Sequence, residues 1–339
     1  GIRARVTVNG DSAELWLQFH HSCCDGIAGV AFLKELLEAY GRPSPAGGSR
    51  DDAADFPEYC CAYSRLTSRE KAQRFARDLP RIWRFFFRRV LSLPATVADA
   101  TTPSDSPSYV EARMPLTPEM RARLKRAHVL PTSINDILLR DVFLALKDST
   151  SQLPPSANRQ WLRIAVPTNH RDADVPIRGC RNDMGMAFLD LRVEKSQSKA
   201  ESLRDISQEM TLIKRHRMGN SMLGALNYMR YAPGAMARVL AMQERSTTVV
   251  VSNLGKVLAT PGRHGPLVTN DVIVKRLGFL VPIREGTPIS FGAFTYADEL
   301  TVCMQYDERV IDRVDADRLL ARVVNYLRDS LAAQPHKAA

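Results

Sequence analysis

Several things are scarce in this chain, and each shortage narrows what it can be. No stretch approaches the ~18 consecutive apolar residues that a membrane-spanning helix needs. Gly1-Ile2-Arg3 runs straight into strand-like sequence, so a leader peptide is not the expected reading of this opening. There is no initiator methionine, so the expectation is that something upstream was removed or never included. Cysteines number six, at 23, 24, 60, 61, 180 and 303. Two adjacent pairs and two singles do not make a secreted disulfide framework, so reduced thiols in a cytoplasmic protein are expected. No nucleic-acid-binding motif and no internal repeat is present, and nucleic acid is not an expected partner.

What is there is ordinary in amount and uneven in placement. With 339 residues, 45% hydrophobic and 25% charged, the chain can bury a sizeable core, in two domains or lobes. The formal net charge of +10 points to an anionic membrane surface or a phosphate-bearing small molecule. One dense stretch, Arg74 to Arg89, reads RFARDLPRIWRFFFRR. Its interleaved aromatics and arginines fit peripheral membrane contact. They also fit a bridging helix with one buried aromatic face. Asp78-Leu79-Pro80 is expected to break the run, which favours the bridging helix.

Periodicity gives an α/β chain with a mixed or largely antiparallel sheet. Val6–Val8 and Glu14–Phe19 read as a hairpin through Asn9-Gly10. Ile27–Tyr40 carries one apolar helical stripe, and helical, Arg-rich sequence runs from about Pro57 to Leu91. The polar, proline-containing stretch Ala100–Ser108 is the expected boundary. Beyond it come helices at Thr117, Ser133–Leu146 and Ser202–Arg217, and strands at Tyr109–Met114, Trp161–Pro167, Met186–Val193 and Thr247–Val251. A second hairpin, Ile289–Tyr296 with Leu300–Tyr306, precedes a last amphipathic helix, Val314–Leu331.

Between the first hairpin and the first helix stands His20-His21-Ser22-Cys23-Cys24-Asp25-Gly26, an HHxxxDG heptapeptide. A neutral imidazole can take a proton from a hydroxyl or amine as that group attacks a carbonyl, because free histidine titrates near ~6.5. Neighbouring residues at a strand end point to opposite sides, so only one histidine can face a given channel. Asp25 can cap the following helix or pair with a distant cation. Gly26 is expected to let the backbone turn tightly beside a ligand. Two blander readings stand beside this one. The histidines can be ordinary core residues. The His/Cys/Asp group can also bind zinc, although its spacing fits no standard pattern, so no metal site is expected.

HHxxxDG after a strand resembles the signature of the chloramphenicol acetyltransferase-like superfamily. That superfamily includes nonribosomal peptide condensation domains, alcohol acetyltransferases, polyketide-associated acyltransferases and wax ester synthase/diacylglycerol acyltransferases. Four later segments resemble wax ester synthase motifs in the same order. They are Ser133-Ile134-Asn135-Asp136-Ile137-Leu138-Leu139, Val166-Pro167-Thr168-Asn169-His170-Arg171, Arg181-Asn182-Asp183-Met184-Gly185 and Val251-Ser252-Asn253-Leu254-Gly255.

The resemblance implies a two-lobed CoA-dependent acyltransferase fold with mixed sheets and flanking helices. Residues 1–105 would be the remainder of the N-terminal lobe and 106–339 the C-terminal lobe. Only nineteen residues precede the heptapeptide, so the first lobe is expected to be incomplete. By the same resemblance, His21 is the general base, His20 is structural, and Asp25 forms a salt bridge that shapes the loop, with Arg171 as partner. Asn135 and Asp136 match a structural helix motif, and Ser252, Asn253 and Gly255 stand as channel candidates. The sequence identifies no oxyanion donor; the backbone N–H near Gly26 is one candidate. The implied substrates are an acyl-CoA or an acyl thioester on a phosphopantetheinyl carrier protein, with an alcohol or amine acceptor and no bound cofactor. A condensation-type domain, or a non-catalytic binding module of the same fold, is the alternative.

Overall fold

The computed structural model describes residues 1–40, 67–91, 107–126, 133–150, 160–171, 177, 180–193, 198–219, 233–234, 237, 247–259, 265–269, 272–284 and 286–332. Cys60, Cys61, the loop expected at 42–54 and most of the expected boundary at 100–108 lie outside them.

The chain opens with hairpin β1 (Ile2–Asn9) and β2 (Ser12–Phe19). The turn is one residue later than expected. Asn9 still pairs with Ser12, and Gly10, at φ +57°, occupies the first central position. Period-two alternation sorts the hairpin cleanly. Ile2, Ala4, Val6 and Val8 share one face with their partners Phe19, Leu17, Leu15 and Ala13. Helix α1 (Gly26–Ala39) covers the Phe19 end, where Phe19 and Phe32 meet edge to face at 5.4 Å. The far end stays open, with Val6 60% and Val8 68% exposed.

Helix α2 (Ser68–Phe87) begins at a Thr67/Glu70 capping box. It corrects the expectation for Pro80, which lies inside the helix and does not end it. The missing N–H removes one intrahelical bond, but the turn beyond it is held from outside. Phe85 packs on Phe188 at 4.6 Å, and the buried guanidinium of Arg163 donates to the carbonyls of Arg84 and Phe85. Residues 89–91 then pair with Trp161. Trp83 and Phe87 are exposed and stacked on each other, whereas Phe86 is half-buried. No described helix is long and apolar enough to cross a membrane.

The main sheet follows. Its strands are β3 (Ser108–Pro115), β4 (Trp161–Asn169), β5 (Met184–Arg192), β6 (Val249–Lys256), β9 (Ile289–Tyr296) and β10 (Glu299–Tyr306). A two-residue ladder, β7 (Val268–Thr269) with β8 (Val272–Ile273), lies between β6 and β9. The sheet order is β3-β10-β9-β6-β4-β5, with β6 parallel to both neighbours and the other pairs antiparallel. The sheet is therefore mixed, as the periodicity implies. Its β9–β10 hairpin turns on Ala297 and Asp298, both at positive φ, which suits the right-handed twist of the strands.

Alternate residues divide the core between the two faces. Leu162, Ile164, Val249, Val251, Phe291 and Met304 join one cluster with helices α4 (Ile134–Ser149), α5 (Lys199–His216) and α6 (Arg313–Ala332). The short helix α3 (Pro118–Arg126) packs on α6. Ala165, Val250, Phe294 and Cys303 face the other way, under a strap that supplies Leu277, Phe279 and Val281. That second face receives the heptapeptide loop.

Candidate active site

The heptapeptide forms a loop between β2 and α1, and its aspartate holds it in place. Asp25 is the N-cap of α1, with Oδ1 accepting from the Ala28 N–H at 3.0 Å. Its other oxygen, Oδ2, faces away from the helix. There it accepts from the Asp183 N–H at 2.8 Å and pairs with Arg171 Nη1 at 2.8 Å. Capping and ion pairing are thus simultaneous, one per carboxylate oxygen. Both side chains are nearly sealed, Arg171 at 5% and Asp25 at 4% exposure.

Arg171 is itself oriented. Asn169 Oδ1 accepts from its backbone N–H at 3.1 Å, and its Nη2 donates to the Arg181 carbonyl at 2.7 Å. The loop and the 181–183 segment bind each other twice more. The Asn182 amide donates to the His21 carbonyl at 2.6 Å, and the Asp25 N–H reaches the Arg181 carbonyl at 3.4 Å. Asn182 received no role from the sequence, although it stands in a segment that carried the resemblance.

The two histidines end in different states. His21 Nδ1 lies 3.1 Å from the Cys24 carbonyl. A carbonyl only accepts, so in the neutral ring Nδ1 carries the proton and Nε2 keeps its lone pair. The ring is exposed, and that lone pair is open to an incoming group. His20 folds back on its own loop, with Nδ1 taking bonds from Ser22 Oγ at 2.6 Å and the Ser22 N–H at 3.3 Å.

Gly26 requires a correction. It is the first residue of α1 and is not among the glycines at positive φ, so no special turn calls for it. A Cβ there would lie 2.9 Å from Leu254 and 3.1 Å from Phe279, so the requirement is close packing onto β6 and the strap. The nearby N–H groups of Ala28 and Gly29 are also taken, by the Asp25 side chain and carbonyl. Of the channel candidates on β6, Ser252 shares the parity of Val250 and Leu254 and so lies on the loop's side of the sheet. Asn253 Oδ1 instead accepts from the Gly255 N–H at 2.8 Å, where Gly255 stands at φ +69° in a register shift. Those two residues shape the strand. Asp136 completes the α4 capping box with Ser133 and accepts from Ser207, a structural role.

Directly behind Arg171 lies a residue the sequence did not single out. His170 is 4% exposed, and its Nδ1 has no partner among the described residues. It fits because two residues opposite it are glycines: a Cβ on Gly185 would lie 2.0 Å from its Nε2, and one on Gly219 2.9 Å. Burial pushes this imidazole below its usual 6.5, with Asp183 opposing and Arg217 adding to the shift. A lowered pKa means that the unfolded chain takes up the proton first as pH falls. The stabilising contribution is complete above the ordinary value and is lost as pH drops through the depressed one. The melting temperature of the parent is therefore expected to fall between about pH 7 and pH 5 more steeply than that of His170→Asn. Parallel curves for the two proteins would refute this.

A cavity of about 620 Å³ opens elsewhere, between α2, β5 and α5. Ile82, Phe85, Phe143, Phe188 and Leu191 line it, and no heptapeptide residue reaches it. Among the described residues, no group of three or more His, Cys, Asp or Glu could hold a metal ion.

With the sheet order and the loop geometry in place, comparison with known proteins becomes informative. Residues 181–330 match the WS/DGAT C-terminal domain family. Solved structures match nearly the whole chain at low identity. A first condensation domain of the CDA synthetase shares 18% identity at TM-score 0.59, covering 98% of this chain and 67% of that one. The EpoB NRPS cyclization-docking bidomain of Sorangium cellulosum shares 15% at TM-score 0.60, covering 98% and 63%. This is a CoA-dependent acyltransferase fold. Polyketide synthase associated protein 5 of Mycobacterium tuberculosis has the same fold, with 14% identity, TM-score 0.60, and 98% and 77% coverage. No curated protein sequence matches. Within this acyltransferase fold, the family match starts at Arg181, so it includes the segment that grips the loop but not the loop itself.

Proposed function

We propose that this chain carries the general-base loop of an acyltransferase. One observation supports this above the others: His21 Nδ1 is held by the Cys24 carbonyl, in a loop clamped by Asp25 and Arg171, so Nε2 stands free as a base. In the proposed reaction, Nε2 takes the proton of an acceptor hydroxyl or amine as its oxygen or nitrogen attacks a thioester carbonyl. The tetrahedral oxyanion collapses, the carbon–sulfur bond breaks, and the imidazolium returns the proton to the departing thiolate. The side chains of His20, Asp25 and Arg171 act by positioning.

The WS/DGAT match favours an acyl-CoA donor and an alcohol acceptor. The condensation and cyclization domains among the structural neighbours support a second reading. In it, the donor sits on a phosphopantetheinyl carrier protein and an amide or ester forms. The +10 charge suits both anionic donors and does not choose between them. The intact HHxxxDG weighs against a purely non-catalytic module. Thiol release should be followed with a panel of acyl-CoAs and with acylated carrier protein, each against alcohol and amine acceptors. The first reading expects release from acyl-CoA that requires an alcohol. Release from carrier protein alone would replace it with the second, and no acceptor-dependent release from either would overturn both.

A further inference from the structure

The cavity beside α2 has no part in the proposed reaction, yet its shape and charge are specific. β5 is the edge strand of the main sheet. Residues from both of its faces line the cavity, Met186 and Phe188 from one, Ala187 and Leu191 from the other. Helix α2 therefore covers the strand edge without filling the space against it. The lining runs along α2 from Asp78 to Arg88 and along β5 from Met186 to Arg192. Helical rise makes the first span about 15 Å, and strand rise makes the second about 20 Å. The volume of about 620 Å³ is thus spread along a slot.

The two ends of the slot differ. Met186, Ile213 and Met218 make one end apolar, and Trp161, Arg84 and Arg192 stand at the other. The acids along it are committed. Asp78 pairs with Arg77, Glu209 with Arg81, and Asp190 with both Arg88 and Arg163. Asp205 is not free either. Arg84 and Arg192 are exposed and have no carboxylate partner among the described residues. Stacking holds Arg192 in place: its guanidinium lies 5.0 Å from the Trp161 ring centroid, and that of Arg88 lies 3.6 Å away. Stacking uses the face of a guanidinium and leaves its in-plane N–H groups available to an anion.

We propose that this slot is a second ligand site, for a single-chain amphiphile with an anionic head. The chain lies against Ile82, Phe188 and Ile206, where burial of its apolar surface drives binding. Arg84 and Arg192 hold the head, a carboxylate or a phosphate, by charge-assisted hydrogen bonds. The ligand is not placed for acyl transfer. No heptapeptide residue lines the slot, and Arg192 stands nine residues along β5 from Asp183, about 30 Å of strand. A head at Arg192 points its chain toward the loop, the reverse of what a thioester needs to present its carbonyl to His21. The bound chain instead joins α2 to β5 and α5, as a stabilising ligand.

The test needs no turnover, so its failure would leave the reading of His21 untouched. Calorimetric titrations use dodecanoate, lauroyl lysophosphatidate and dodecanol, each below its micelle concentration. The two anions are expected to bind one to one and to raise the melting temperature, and the tighter of them identifies the head as carboxylate or phosphate. Uncharged dodecanol should bind at least tenfold more weakly. Replacing both rim cations, as Arg84→Ala with Arg192→Ala, should weaken the anions at least tenfold and leave dodecanol unchanged. His21→Ala should leave binding of the anions unchanged, and so should Trp83→Ala on the outer side of α2. Absence of saturable binding, equal binding of dodecanol, undiminished binding after loss of both arginines, or loss of binding in Trp83→Ala or His21→Ala would overturn the proposal.

Discussion

Arg171→Ala is expected to destabilise the folded chain by about 3–5 kcal/mol, the range for removing one partner of a buried ion pair. The estimate rests on near-complete burial of both side chains and on what the loss leaves behind. Asp25 would keep its bonds from Ala28 and Asp183, but its charge would remain buried with no cation. The Arg181 carbonyl would lose its Nη2 donor as well. Arg171→Lys should recover only part of this loss, since an ammonium cannot reproduce a guanidinium fork bridging Asp25 and a carbonyl. Exchanging the residues, as Asp25→Arg with Arg171→Asp, should recover nothing. An arginine at 25 can neither cap α1 nor accept from Asp183, so a failed exchange would not count against the ion pair. Urea unfolding of the three variants separates these outcomes. A midpoint for Arg171→Ala within error of the parent would remove the clamp.

Gly185→Ala is expected to cost about 3 kcal/mol, at the upper end of overpacking effects. Its new Cβ would lie 2.0 Å from His170 Nε2, and 2.5 Å and 2.6 Å from the carbonyl carbon and oxygen of Gly219. A flexible side chain could swing away. Here one obstacle is a buried ring and the other is backbone. Either movement also disturbs Arg171, the residue after His170, so the damage should reach the clamp. The melting temperature should fall by about 5–10 °C. Gly10→Ala is a useful contrast, since nothing lies near its Cβ and only the positive φ resists the change. Equal, small losses in both variants would contradict the cradle.

The contrast between Asp25 and His170 shows why part of the site is legible in sequence and part is not. The heptapeptide is contiguous, and a capping aspartate before an apolar helical run is a local signal. Arg171 comes from the order of motifs along the chain, because no local rule joins residues so far apart. The cradle of His170 has no such trace. It needs Gly185 on β5 and Gly219 beyond α5 to meet a residue at the end of β4. Arg163 is similar. A lone arginine in an apolar strand is unexplained until the β4–β5 register sets it opposite Asp190, whose carboxylate takes its Nε and Nη2. The tolerance of Pro80 depends on that same arginine. In each case the missing knowledge is strand register, which period-two patterning alone does not supply.

The most direct measurement is acceptor-dependent thiol release by the parent protein and by His21→Ala. A general base contributes about 10²–10⁴-fold, and turnover should fall by that factor. The His21 ring is exposed and, among the described residues, its one hydrogen bond goes to the Cys24 carbonyl, so unfolding should shift by no more than about 1 kcal/mol. A large loss of turnover at nearly unchanged stability is the predicted result. Undiminished turnover in His21→Ala would contradict the assignment of the base.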